Sequence, residues 1–223
     1  MNEEAITYQW GNAAPPSPEE LHHWQQWGAY PGFDPTKGKL SRRLWLSVPD
    51  LKSATRVVVT HHYLHRGRTM AQLPYFVWVD AMPVGVLLFS YPRVSVPLCG
   101  VQPLHLLELA RMWLHPDVQG HTVEDRRRKQ HTLPVASCAL GQALRVVRGD
   151  WARKYPALPP VEAVVSWADT EHHEGTVYAA TGFQDRGTSP GRLHGNRARN
   201  NGGRDQLNPD YRHDKTLFYY DWR

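Results

Sequence analysis

The sequence predicts a mixed α/β fold (α+β in its order of elements), with one central sheet flanked by helices. Three stretches carry that expectation. Tyr75–Phe89 reads as an apolar β-hairpin, Leu104–His115 alternates with a period of two, and 161–187 reads as strand, polar turn, short helix and further strand. In the last of these, Val161, Ala163, Val164, Val165 and Trp167 leave only Glu162 and Ser166 polar, as a buried strand requires. The turn Asp169-Thr170-Glu171-His172-His173-Glu174-Gly175 then joins a strand's carboxyl end to a helix N-terminus, the junction where α/β folds usually place ligands and chemistry.

A chain of 223 residues with 41% hydrophobic content can bury one substantial core and carry appended segments. Residues 1–40 read as an N-terminal extension and 41–223 as a single domain. A net charge of +5 and a pI near 9.3 suit an anionic partner, without separating DNA from RNA, coenzyme A or a membrane surface. Two cysteines, Cys99 and Cys138, form no CxxC pair, which argues against a disulfide framework or a thiolate zinc site. The start, MNEEAITYQW, has no apolar signal region, and no apolar run reaches membrane-spanning length. The plain expectation is a soluble protein of the cytoplasm.

In chain order, Ser17, Pro18 and Glu20 mark a helix start, and Leu21, Trp24 and Trp27 line one side of Pro18–Trp27. That helix reads as a packing appendage, the alternative being a stacking surface for bases. Residues 49–65 read as a helix with Asp50 as N-cap and Leu51, Ala54, Val58 and His61 or His62 on one face. It ends in His61-His62-Tyr63 and a basic stretch, where the helix dipole favours cations. In the hairpin that follows, Tyr75 can face a site or pack in the core.

Within Leu104–His115 the alternation puts Glu108 and Arg111 on opposite faces, so each needs its own partner or a function. Residues 117–132 read as a polar loop carrying Arg126-Arg127-Arg128-Lys129. Leu133–Trp151 reads as a helix with Leu140, Leu144, Val147 and Trp151 inward and Ser137 in its first turn, there as a local cap or as a ligand contact. Val177 and Ala180 mark one side of the next helix, which Gly182 stops; Phe183–Thr188 reads as a strand. Residues 189–214, with Arg192, Arg197, Arg199, Arg204 and Arg212, form a basic, apolar-poor insertion before a last strand, 215–222. Such an arm suits a phosphate backbone, an inert loop being the alternative.

Four separated pieces, His61-His62-Tyr63, Glu108-Leu109-Ala110-Arg111-Met112, the helix bearing Ser137, and SWAD with GTVYAATGF, resemble the Mom-type phage DNA-modification proteins and, more broadly, the N-acetyltransferase (GNAT) fold. The likeness covers roughly residues 50–188. It implies a GNAT-like sheet and a transferase that adds a carbamoylmethyl or acyl-type group to adenine N6 in DNA, protecting the DNA from restriction. It implies site roles for Asp169, Tyr178, Arg111 and Ser137, with Arg111 and Ser137 toward the donor. For the DNA side it implies His62, Tyr63, Tyr75, Arg126, Arg127, Arg128, Arg197 and Arg199.

The donor so implied is acetyl-CoA or another activated acyl or aminoacyl group, and the partner is DNA. Iron is associated with the family, and His61, His62 and His172, with Asp169, are the ligand candidates. A homodimer is the oligomer considered. One departure stands out. Ordinary acetyltransferases bind the CoA pyrophosphate on a glycine-rich loop, whereas here Gly120 is the only nearby glycine before the helix. The alternative function is an acyl-CoA-dependent N-acyltransferase for a small-molecule or protein amine. A non-catalytic nucleic-acid-binding protein on the same scaffold is a third.

Overall fold

The computed structural model describes residues 7–8, 33–64, 72–80, 82–124, 128–190 and 213–222. The strands are β1 (Thr7–Tyr8), β2 (Leu44–Ser47), β3 (Gln72–Val79), β4 (Met82–Ser90), β5 (Leu106–Leu114), β6 (Thr122–Glu124), β7 (Gln130–Thr132), β8 (Ala163–Asp169), β9 (Gln184–Ser189) and β10 (Lys215–Asp221). The helices are α1 (Leu51–His61), α2 (Val135–Lys154) and α3 (Thr176–Ala180). Eight strands form one mixed sheet in the order β1-β2-β3-β4-β5-β8-β10-β9. Its neighbours are antiparallel except β5 and β8, which run parallel. The mixed α/β sheet flanked by helices is thus as expected.

Two departures are local. Residues 117–132 are not simply a loop, since β6 and β7 pair as a small separate hairpin. The extension also contributes a strand, because β1 pairs with β2. The helix expected over Pro18–Trp27 lies outside the described residues.

The two sheet faces are covered differently. On one, α2 buries Ala139, Leu140, Ala143, Leu144, Val147 and Trp151, at helical spacing, against Leu44, Tyr75, Val77, Leu87 and Phe89. Its far end is latched to β3 through Tyr75, whose hydroxyl donates to Asp150 Oδ2 at 2.6 Å, and Tyr155, whose hydroxyl donates to the Gln72 carbonyl at 2.7 Å. On the other face α1, N-capped by Asp50 accepting from Ser53 N at 2.8 Å, turns Ala54, Val57 and Val58 onto Trp45, Phe76, Trp78 and Val86. Leu51 stays 37% exposed, so the inward stripe starts one turn later than expected. Cross-strand partners Trp45 and Trp78 stack at 4.9 Å there.

The feature that positions the site is a bulge. Leu88 is opposite Arg111 and Phe89 opposite Leu109, so Ala110 is an extra residue in β5. Before it, Leu107 and Leu109 face α2; after it Met112 packs on that core, while Trp113 packs on the α1 side. The phase change corrects the expectation for Glu108 and Arg111. Opposite Ser90 and Leu88, two residues apart on β4, they lie on the same face, the α1 face. Both are buried. Pairing between β5 and β8 covers only Leu106–Glu108 with Ala163–Val165, although both strands run on, and a gap opens beyond it.

Candidate active site

Asp169 closes β8 on the α1 face of this gap, in phase with Val165 and Trp167 and 1% exposed. One carboxylate oxygen, Oδ1, accepts from the Glu171 amide at 3.0 Å, and its carbonyl accepts from the amides of His172 and His173 at 3.1 and 2.9 Å. These bonds wind 169–173 into a tight turn. The other oxygen, Oδ2, is buried with no hydrogen-bond partner among the described residues. A buried carboxylate oxygen without a partner is costly, and Asp169 Oδ2 is the one carboxylate oxygen among several such buried side-chain atoms in the described residues.

The turn throws His172 against the end of α1. Tyr63 stacks on His62 at 4.4 Å and meets the His172 ring at 4.6 Å. His61 stacks on Trp113 at 4.8 Å, and His213, before β10, pairs with Glu171 at 2.7 Å. Imidazole and aromatic rings from α1, β5, the 169–173 turn and the start of β10 therefore wall one end of the α1 face. This arrangement does not suit the iron-ligand set proposed from sequence. His62 and His172 each pack on Tyr63, and His61 stacks on Trp113. Among the described residues no group of three or more His, Cys, Asp or Glu side chains is disposed to hold a metal.

The other face of the gap holds Tyr178, the buried residue of α3; Val177 is half-buried against the same core and Ala180 is exposed. The Tyr178 ring stacks on Phe218 at 4.4 Å and 12°. Its hydroxyl lies 2.9 Å from Ser166 Oγ, which donates to the Leu109 carbonyl at 3.1 Å, beside the bulge. Burial pushes the Tyr178 phenol above its ordinary range, and the Ser166 bond offsets part of that. Gly175 makes the stack possible. It caps α3 at φ 78°, and a Cβ there would sit 2.4 Å from Phe218 Cζ.

The expectation that Asp169 and Tyr178 share one cavity is corrected. Alternation along β8 sends Asp169 to the α1 face and Ser166, with Tyr178, to the α2 face. Arg111 and Ser137, both expected to hold the donor, are likewise apart. Arg111 is 5% exposed on the α1 face, with one N–H donating to the Ala110 carbonyl at 2.6 Å. Ser137 Oγ bonds the Pro134 carbonyl at 3.3 Å, the local-cap geometry, and also lines a groove on α2. Tyr75 is fully buried and belongs to the core, bonded to Asp150, so it faces no site. Arg128 is exposed after β6, whereas Arg126, Arg127, Arg197 and Arg199 lie outside the described residues.

Sequence reasoning missed two parts of this site. Ser166 was visible, with Glu162, as one of two polar residues in the apolar run 161–167. The groove, ≈ 1130 Å³, runs along α2 between α3, the end of β10 and the turn at Leu40–Arg42. Its arginines, Arg42, Arg145 and Arg148, carry no local sequence signal that sets them apart as a group.

Residues 44–202 match the Mom protein family, and the chain belongs to that family. No curated protein sequence matches it. Among solved structures it is similar to an acetyl transferase from Salmonella typhimurium that modifies the N-terminal serine of a ribosomal protein, at 14% identity and TM-score 0.46 over 83% of this chain and 98% of that one. It is also similar to the ribosomal acetyltransferase RimL in complex with coenzyme A, at 12% identity and TM-score 0.47 over 82% and 96% of the two chains. A GNAT family acetyltransferase from Elizabethkingia anophelis with acetyl-CoA bound is similar at 12% identity and TM-score 0.37, over 67% and 76%. Among the described residues no helix is long and apolar enough to cross a membrane.

Proposed function

We propose that this chain is a DNA-modifying transferase that adds a carbamoylmethyl or acyl-type group to adenine N6, protecting the DNA from restriction. Membership of the Mom family over residues 44–202 supports the reading. The observation that carries it is Asp169 Oδ2, buried and without a partner among the described residues, beside a wall of imidazole and aromatic rings. Adenine N6 is a weak nucleophile because its lone pair is delocalised into the ring. It needs positioning and a base that takes its proton as the new bond forms. The ring wall at Tyr63 and His172 suits a base taken out of the stack, and Arg128 with the other basic residues suits the phosphates.

The separation of Asp169 from Tyr178 fits a division of labour across the gap. A transfer forms the N6–carbon bond on one side of the transferred carbon and breaks the bond to the leaving group on another. Asp169 accepts the amine proton on the α1 face, and Tyr178 supplies a proton to the departing group on the α2 face. An activated donor, when bound, supplies the electrophilic carbon. Acetyl-CoA is bound in one of the similar structures and coenzyme A in another. Here the α2 groove, with Ser137 and three arginines, has the residue types for an anionic donor even without the glycine-rich loop.

Expression of the chain with plasmid DNA, then mass analysis of the digested nucleosides, tests the proposal. The expected result is an adenosine species heavier by the transferred group; unmodified nucleosides from cells making folded protein would overturn it. That second outcome, with acylation of a small or protein amine in the same cells, would instead support the acyl-CoA-dependent N-acyltransferase.

A further inference from the structure

We propose that Trp167 stacks an unpaired DNA base beside the target adenine, on a strip of β8, β10 and β9 whose cations hold that strand's phosphates. This deepens the DNA-modifying reading and rests on it. Pleating puts Val165, Trp167 and Asp169 of β8 on one face, with Lys215, Leu217 and Tyr219 of β10 beside them. Trp167 lies opposite Leu217, and Lys215 opposite Asp169. On this face α1 covers β2, β3 and β4, packing on Trp45, Phe76, Trp78 and Val86. Over β8 and β10 the described cover is Leu98 and Val101, which pack with Leu106, Val165 and Tyr219. Nearer Asp169, Trp167 and Leu217 stay half-buried.

The indole itself is unused by the fold. Trp45, Trp78 and Trp222 donate their N–H groups to the Asp80 carbonyl, Ser47 Oγ and the Leu144 carbonyl. Trp167 makes no such bond and stacks on no ring among the described residues. A half-open indole with an apolar back and an available N–H can stack a flat ring and bond its edge.

The charges beside it choose the occupant. Arg186 of the edge strand β9 bonds Gln184 and lies 5.3 Å over the Tyr219 ring, which places its guanidinium on this face, and the residue is exposed. Lys215 borders the strip beside Asp169, while Asp221, the acid on this face of β10, lies at the far end opposite Ala163. An aromatic ring between two cations suits a single nucleic-acid strand, with its base on the ring and its phosphates outside. Two residues along a strand span about 7 Å. Trp167 is therefore one or two nucleotide steps, at about 3.4 Å each, from a base held at Asp169. The neighbour of an adenine drawn out toward Asp169 loses a stacking partner, and Trp167 supplies one.

Fluorescence anisotropy of the full chain with a short labelled DNA of mixed sequence, single-stranded and as its duplex, tests this. Trp167→Leu keeps an apolar side chain beside Leu217, Trp167→Phe keeps a ring, and Arg186→Gln removes an exposed cation; circular dichroism checks that each folds. Single-strand affinity should fall about 5- to 150-fold in Trp167→Leu and recover most of that in Trp167→Phe. Duplex affinity should change by less than about twofold, because a paired duplex offers no free base face. Arg186→Gln should shrink the salt slope of single-strand binding by about 0.7. No single-strand binding by the wild type, unchanged single-strand affinity in folded Trp167→Leu, or an equal loss on the duplex would each overturn the proposal. So would tighter binding of RNA of the same sequence, or a dimer that Trp167→Leu dissolves, which would assign the strip to RNA or to a second copy. If Trp167→Leu does not fold, an unchanged salt slope in Arg186→Gln overturns it. Modified adenosine in cells together with any of these results overturns only this inference, whereas the expected binding without modified adenosine counts against the proposed function.

Discussion

Ser166 and Tyr178 share a hydrogen bond of 2.9 Å between their hydroxyl groups, at the point where β5 and β8 part. Because Ser166 gives its proton to the Leu109 carbonyl, Tyr178 is the donor in this pair. The phenol is therefore held protonated, with its one proton resting on Ser166 Oγ.

Tyr178→Phe should fold, because the stack on Phe218 survives, with a stability loss of about 0.5–1.5 kcal/mol for the missing bond. Modified nucleoside should form about 100-fold more slowly or worse. Ser166→Ala should lower the rate less, since the phenol remains. Full activity of Tyr178→Phe in a single-turnover assay would remove the hydroxyl from the chemistry.

Asp169→Asn keeps the oxygen that accepts from the Glu171 amide and removes the basicity. DNA affinity, read by fluorescence anisotropy, should stay within about twofold, while modification falls by about 100- to 10,000-fold. If DNA binding falls in parallel with the rate, Asp169 is a binding group rather than a base.

Asp150 makes stability depend on pH. Burial raises its carboxyl from 3.8 to about 6, although Arg153 bonds it and works in the opposite direction. A raised folded-state value favours the protonated acid, so this contribution is fully present below about pH 4 and lost as pH rises through about 6. The linked change is about 3 kcal/mol. Asp150→Asn, which retains an acceptor for the Tyr75 hydroxyl, should flatten the dependence of denaturation midpoint on pH between 4 and 6. An unchanged profile would assign the titration elsewhere.

Replacing Arg126, Arg127 and Arg128 with Gln should weaken binding to all duplex sequences alike. The slope of log affinity against log salt should shrink by about 0.9 for each phosphate that the variant no longer neutralises. The same slope in wild type and variant would take this run out of the DNA interface.

Much of the architecture was legible in the residues. The hairpin's two apolar runs around a tight turn, the Asp50 cap, the Leu140–Trp151 spacing and the polar turn after Trp167 each report a local rule, and each element formed where that rule put it. The Mom-type motifs likewise pointed to the family that residues 44–202 match. Side-chain direction was decided elsewhere. Glu108 and Arg111 read as facing apart, but the extra residue Ala110 shifts the phase of β5, a bulge set by pairing with β4 and silent in the alternation itself. Asp169 and Tyr178 read as neighbours because a tight turn and a short helix separate them, yet the pleat of β8 puts them on opposite faces. The groove could not be read at all, since Arg42, Arg145 and Trp222 come from distant parts of the chain and meet only when α2 packs on the sheet. Periodicity along a chain fixes which residues are buried; which of them meet depends on register, bulges and packing between segments remote in sequence.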